Sequence, residues 1–167
     1  ELVEAKGFID EATTIIDGKN QADIKEKIMS KFYYNKALIY SKIAASPDAE
    51  TKALAADANV VAAQSFLDLL QFESTAKKQL YTEEAQRESM NIAYNYLVDA
   101  GTAYEAGDYQ TAYEGYMSAF EFKQNELLGM FASVDTGLLF NAGIIAGSAG
   151  DLEKSSAAFA QCLEMGY

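Results

Sequence analysis

The 167-residue chain contains no histidine and no tryptophan, one proline and one cysteine. Each shortage removes something. Without histidine there is no Ser-His-Asp or Cys-His catalytic set and no imidazole ligand for zinc or iron. One cysteine, Cys162, forbids an internal disulfide. No basic residue stands beside it to lower its pKa, so it reads as a small buried hydrophobe rather than a nucleophile. One proline and 11 glycines against 28 alanines leave long stretches free of helix breakers, which predicts an all-α protein. Basic residues are also scarce: 13 Lys and Arg face 25 Asp and Glu, for a net charge of −12. Phosphate recognition needs clustered cations, so nucleic acid and anionic membrane surfaces are disfavoured as partners. The acidity favours solubility in general and a basic protein or peptide partner in particular. No Walker or dinucleotide glycine motif and no twelve-residue calcium loop is present. The pair Glu83-Glu84 reads as acids at a helix start rather than as acid–base machinery. The expectation is therefore no enzymatic activity, no cofactor and no metal. The longest weakly polar stretch, 137–150, is too short to span a bilayer and contains Asn141, so membrane insertion is not expected.

What the chain does have is a helical phrase written twice. Residues 106–121 read A-G-D-Y-Q-T-A-Y-E-G-Y-M-S-A-F-E, and residues 149–164 read A-G-D-L-E-K-S-S-A-A-F-A-Q-C-L-E. Each copy has Gly-Asp, then a large residue. A small residue stands four after the Asp, an aromatic eight after it and another small residue eleven after it. Repetition at this range is a mark of helical solenoids.

Apolar spacing predicts about seven helices. The first covers 2–16, with Val3, Phe8, Ile9, Ala12 and Ile16 on one face. The second covers 23–45, with Ile24, Ile28, Phe32, Asn35, Ile39 and Ile43. Ser46 as cap and Pro47 in the first turn start a third, running unbroken to 75. The fourth covers 82–106, the fifth 108–128, the sixth 135–149 and the seventh 151–165. The connections are short and not Ser/Gly-rich, so a single domain over 1–167 is expected. Glu1 opens directly in helical sequence and 165–167 look continued, so both ends read as cuts through a longer array.

These residues resemble the tetratricopeptide repeat family. One match runs through Tyr96, Ala100, Gly107-Asp108-Tyr109, Ala112, Tyr116, Ala119 and Phe120. The next runs through Leu139, Asn141, Ala142, Gly143, Gly150-Asp151-Leu152, Ser155, Phe159, Cys162 and Leu163. An earlier one has Tyr33, Asn35, Ala37 and Tyr40, followed by Ala62, Phe66 and Leu69. Ala5, Ile9 and Ala12 look like half of another. The resemblance implies a right-handed superhelical array of antiparallel helix pairs, with units near 1–18, 21–75, 82–128 and 135–167. The chain departs from the family in its period, 43 residues instead of 34, with the surplus at 123–133, where one helix is expected to run on. Gln124 and Tyr167 stand where the family has a closing proline. The F-N-A-G and E-M-G-Y phrases resemble multi-repeat proteins of the Bacteroides-type bacterial envelope. That resemblance tips localisation toward an exported, periplasmic setting.

In this family the inner face of each first helix lines a concave groove. Carried across residue by residue, the resemblance assigns to that groove Lys31, Tyr34, Leu38 and Ser41. It adds Tyr94, Leu97, Gly101 and Tyr104, and then Gly137, Phe140, Ile144 and Gly147. The absence of Lys and Arg between Gln124 and Glu153 argues against a clamp for acidic carboxyl termini. The function implied is a non-enzymatic scaffold holding a peptide or protein segment in the groove. Two alternatives stand beside it. One is a structural segment of an envelope assembly acting, or self-associating, through open ends. The other is small-molecule or glycan binding by the groove tyrosines.

Overall fold

The computed structural model describes residues 1–20 and 23–166. Among them every regular element is helical: α1 (Leu2–Asp17), α2 (Glu26–Ala44), α3 (Ala49–Lys52), α4 (Ala58–Thr75), α5 (Thr82–Glu88), α6 (Met90–Glu105), α7 (Tyr109–Lys123), a 3₁₀ segment (Glu126–Phe131), α8 (Thr136–Ser148) and α9 (Leu152–Glu164). The protein is thus all-α, and no described helix is long and apolar enough to cross a membrane. Two expectations, the start of a repeat unit at position 21 and the role of Tyr167, lie outside the described residues. The chain divides into two compact units, Glu1–Ile92 and the residues from Ala93 onward, so the division falls inside the expected repeat unit 82–128.

In the first unit α2 and α4 pack as an antiparallel pair. Tyr33 meets Phe72 with ring centroids 6.1 Å apart, and Met29, Ile43, Phe66 and Leu69 are fully buried. Burying side chains of this size contributes about 1.5–3 kcal/mol each. The stripe that α2 buries runs through Met29, Phe32, Ala37, Tyr40 and Ile43, which leaves Ile28 half exposed against expectation. On α1, Ile9 and Ile16 are buried, two turns apart, while Val3 and Phe8 face solvent. Among the described helices α1 packs mainly on α2, so one narrow stripe suffices. A polar clasp fixes that contact: the Tyr40 hydroxyl and the Lys6 ammonium each donate to Asp10 at 2.6 Å. Burial would raise the Asp10 pKa, but these two hydrogen bonds outweigh it and hold the carboxyl below its usual range.

Two long helices expected from the sequence are broken. The predicted third helix becomes α3 and α4, joined by i→i−3 turns at Leu54, Ala55 and Ala58. Ser46 does not cap it; Asp48 does, accepting from the Thr51 amide at 2.8 Å. Alanine propensity favours helix through 53–57, yet Ala53, Ala56 and Asp57 are exposed and Leu54 and Ala55 only partly buried, so packing adds little to the weak local preference. The predicted fourth helix breaks at Ser89, which is fully buried and turns its hydroxyl back onto the Gln86 carbonyl at 2.8 Å. A serine bonding its own helix backbone in this way bends the chain.

In the second unit α6 pairs with α7, α7 packs on α8, and α8 pairs with α9. The two Gly-Asp corners are the same structure. Gly107 and Gly150 both sit at φ +78°, the left-handed conformation that glycine adopts without steric cost. Asp108 and Asp151 donate their amides to Ala103 and Ala146, each at 2.9 Å. Gly107 and Gly150 donate to Tyr104 and Gly147, each at 3.0 Å. Both closures belong to the glycine-terminated helix end that satisfies orphan carbonyls. Each Asp then caps the following helix through the amide three residues on, Thr111 or Lys154. The core between hairpins holds Ala119, Phe120, Leu138, Leu139, Ala158 and Cys162. Cys162 is buried as expected, and burial pushes its thiol pKa up.

The helix expected to run on past 123 does not. α7 stops at Lys123, Asn125 starts the 3₁₀ segment by accepting from the Leu127 amide, and Gly129 turns the chain at φ +58°. The loop closes where Ser133 donates to the Lys123 carbonyl at 2.7 Å and the Lys123 ammonium meets Asp135, also at 2.7 Å. The extra residues of the 43-residue spacing are therefore a tied loop.

Candidate functional site

Close helix crossings shape the second unit. At Gly143 an added Cβ would stand 2.8 Å from the Phe159 ring, and at Gly115 one would stand 2.7 Å from the Ala100 Cβ. The first copy thus places alanine on its first helix and glycine on its second. The positions 43 residues on hold Gly143 and Ala158, and there it is the Phe159 ring that stands against Gly143.

Between the first helices of the two copies lies a cleft of about 310 Å³. Gly101, Tyr104 and Glu105 enter it from α6, Tyr116 from α7, and Asn141, Ile144 and Ile145 from α8. Gly101 forms an open stretch of wall: nothing lies within 4 Å of where its Cβ would be, and its φ is not positive. The volume sits at the small end of ligand pockets, about 300–1,000 Å³. Tyr104 and Ile144 are each 45% exposed, so the walls can be reached.

Three of the residues assigned to a groove, Gly101, Tyr104 and Ile144, meet here. The others are placed differently. Leu97 and Phe140 pack against the hydrophobic core, and Phe140 lies 5.3 Å from the Phe159 ring in the space that Gly143 leaves. Tyr94 is exposed but lines no part of the cleft. Gly137 and Gly147 lie on α8 outside it; Ser155 fills the space beside Gly147.

In the first unit Leu38 borders a separate depression of about 480 Å³ beside α1, with Leu2, Ala5 and Ile39. Lys31 and Ser41 do not line it. Tyr34 is placed away from solvent. It is buried and stacks on Tyr81 at 4.6 Å with the rings nearly parallel. Burial and a hydrogen bond with Glu84 push its pKa up to about 12. This tyrosine packs against the segment before α5.

Sequence reasoning missed Glu105, Tyr116, Asn141 and Ile145. Glu105 stands one turn after Gly101, on the same helix face, and that i, i+4 relation could have exposed it. Tyr116 was assigned to packing alone; it packs against the core and also reaches the cleft. From Ala93 onward there are ten acidic residues and two lysines, a net of −8. Both lysines are engaged: Lys123 with Asp135 at 2.7 Å, and Lys154 with Asp151 at 3.3 Å. No protein-family model, curated protein or solved structure matches this chain.

Proposed function

We propose that the protein is a tetratricopeptide-like, non-enzymatic binding module whose second unit holds a peptide or protein segment in the α6–α7–α8 cleft. The observation that carries this reading is Gly101. A glycine inside a helix costs about 1 kcal/mol relative to alanine. Gly101 has neither a neighbour that a methyl would strike nor a positive φ to explain it. What it provides is open space beside Tyr104 and Ile144. The repeated Gly-Asp corners support the family arrangement.

The test uses Gly101→Leu. Leucine improves helix propensity and fills the cleft, so the variant should unfold no earlier than wild type in urea. It should also lose at least tenfold in affinity for peptides that wild type selects from a random peptide library. Unchanged affinity for every selected peptide would rule the cleft out.

A second reading, association through the exposed face of α9, is favoured by one comparison. Phe120 and Phe122 of the first copy are buried, while the residues 43 positions on, Leu163 and Met165, are 73% and 39% exposed. Sedimentation should then show mass rising with protein concentration, and Leu163→Glu should abolish the rise. A constant monomer mass would remove this reading.

A further inference from the structure

Building on the cleft reading above, we propose that the segment bound there presents a lysine or arginine next to an apolar side chain. The cleft has two kinds of wall. Ile144, Ile145 and the open surface at Gly101 offer apolar contact. Glu105, with Tyr104 and Tyr116, offers what a cation needs: an acidic residue and two aromatic residues lining the same space. None of the described ion pairs uses Glu105. The unit around the cleft carries a net of −8, and its two lysines are held by Asp135 and Asp151 rather than lining the cleft. An anionic segment would meet unrelieved repulsion, whereas a cationic one is drawn in and held by a short-range partner. The Asn141 side chain adds both a donor and an acceptor for a peptide backbone. The small volume limits the anchor to about two side chains, so recognition is of a short basic–apolar pair within a flexible segment.

The probes are four blocked nine-residue peptides with Gly-Ser flanks and cores Leu-Lys-Leu, Leu-Gln-Leu, Leu-Glu-Leu and Ser-Lys-Ser. Binding is measured by calorimetry at 20 mM and 300 mM salt. Leu-Lys-Leu should bind best, and both the Leu-Gln-Leu and Ser-Lys-Ser cores should bind at least threefold more weakly. Glu105→Gln should weaken Leu-Lys-Leu about fivefold, in keeping with an exposed charge pair, and leave Leu-Gln-Leu unchanged. Glu164→Gln removes an equal charge outside the cleft and should change binding less than 1.5-fold. Equal losses from both charge variants would reduce the attraction to the general field and overturn the proposal. So would equal binding of the Lys, Gln and Glu cores. If that equal binding were still abolished by Gly101→Leu, the cleft reading would stand and only its cationic preference would fall. Leu-Lys-Leu binding that survives Gly101→Leu would overturn both.

Discussion

Replacing Glu73 with alanine is expected to destabilise the first unit by about 3 kcal/mol, measured as a drop in the urea midpoint. Glu73 is fully buried in the last turn of α4. Its carboxylate accepts the Tyr81 amide at 3.0 Å and the Thr82 hydroxyl at 2.7 Å. These are the first groups of α5, whose own flanking residue supplies no side-chain cap. Glu73 therefore acts as a cap from another helix, an anion where the helix dipole favours one. Hydrogen bonds to a charged group are worth about 1.5–3 kcal/mol, and leaving a buried donor without a partner adds about 1–3 kcal/mol. Burial alone would raise the Glu73 pKa. The hydrogen bonds from Thr82 and Tyr81 outweigh it and hold the carboxyl below its usual range. A depressed carboxyl stabilises the fold above its unfolded pKa and loses that contribution as pH falls through the folded value. Wild type should thus weaken below about pH 4.5 more steeply than Glu73→Gln, which cannot ionise. A Glu73→Ala change within 0.5 kcal/mol of wild type, or identical acid profiles for wild type and Glu73→Gln, would contradict this role.

Gly115→Ala carries the second large effect, and its sign is diagnostic. Helix propensity alone predicts a gain of about 1 kcal/mol. The crossing predicts a loss, because the new methyl would lie 2.7 Å from the Ala100 Cβ and 3.1 Å from the Tyr96 carbonyl oxygen. Helices must separate to admit it, and overpacking of this kind costs about 1–3 kcal/mol. A net loss is expected in chemical denaturation. Adding Ala100→Gly removes the Cβ that the new methyl would strike, and should restore most of the stability. The coupling expected from the double-mutant cycle is about 1–3 kcal/mol. A Gly115→Ala variant more stable than wild type would mean that the two helices do not approach so closely in solution.

What was legible in the sequence is what local chemistry decides. Gly107-Asp108 and Gly150-Asp151 name their own corners, because a left-handed glycine and a capping carboxylate need no distant partner. The all-helical class followed from alanine and the near absence of proline. What failed depends on contacts far along the chain. Tyr34 looked like an accessible aromatic, but Tyr81, 47 residues away, covers it. Glu73 gave no signal, because its donors lie in the next loop and helix start. The break at 53–57 runs against alanine's own preference. At Ser89 a hydroxyl turned back onto its helix decides the outcome, and serine is common enough inside helices to carry little warning. Of the residues assigned to a groove, Gly101, Tyr104 and Ile144 line the cleft, whereas Leu97 and Phe140 pack against the core, a division that depends on neighbours far along the chain.

The most direct test of the account is a nitrogen–proton correlation spectrum of the labelled protein titrated with the peptide that it binds most tightly. The account predicts graded shifts at Gly101, Tyr104, Glu105, Asn141 and Ile144, with the Gly107 and Gly150 corners unmoved. Saturable shifts confined to residues outside this set would contradict it.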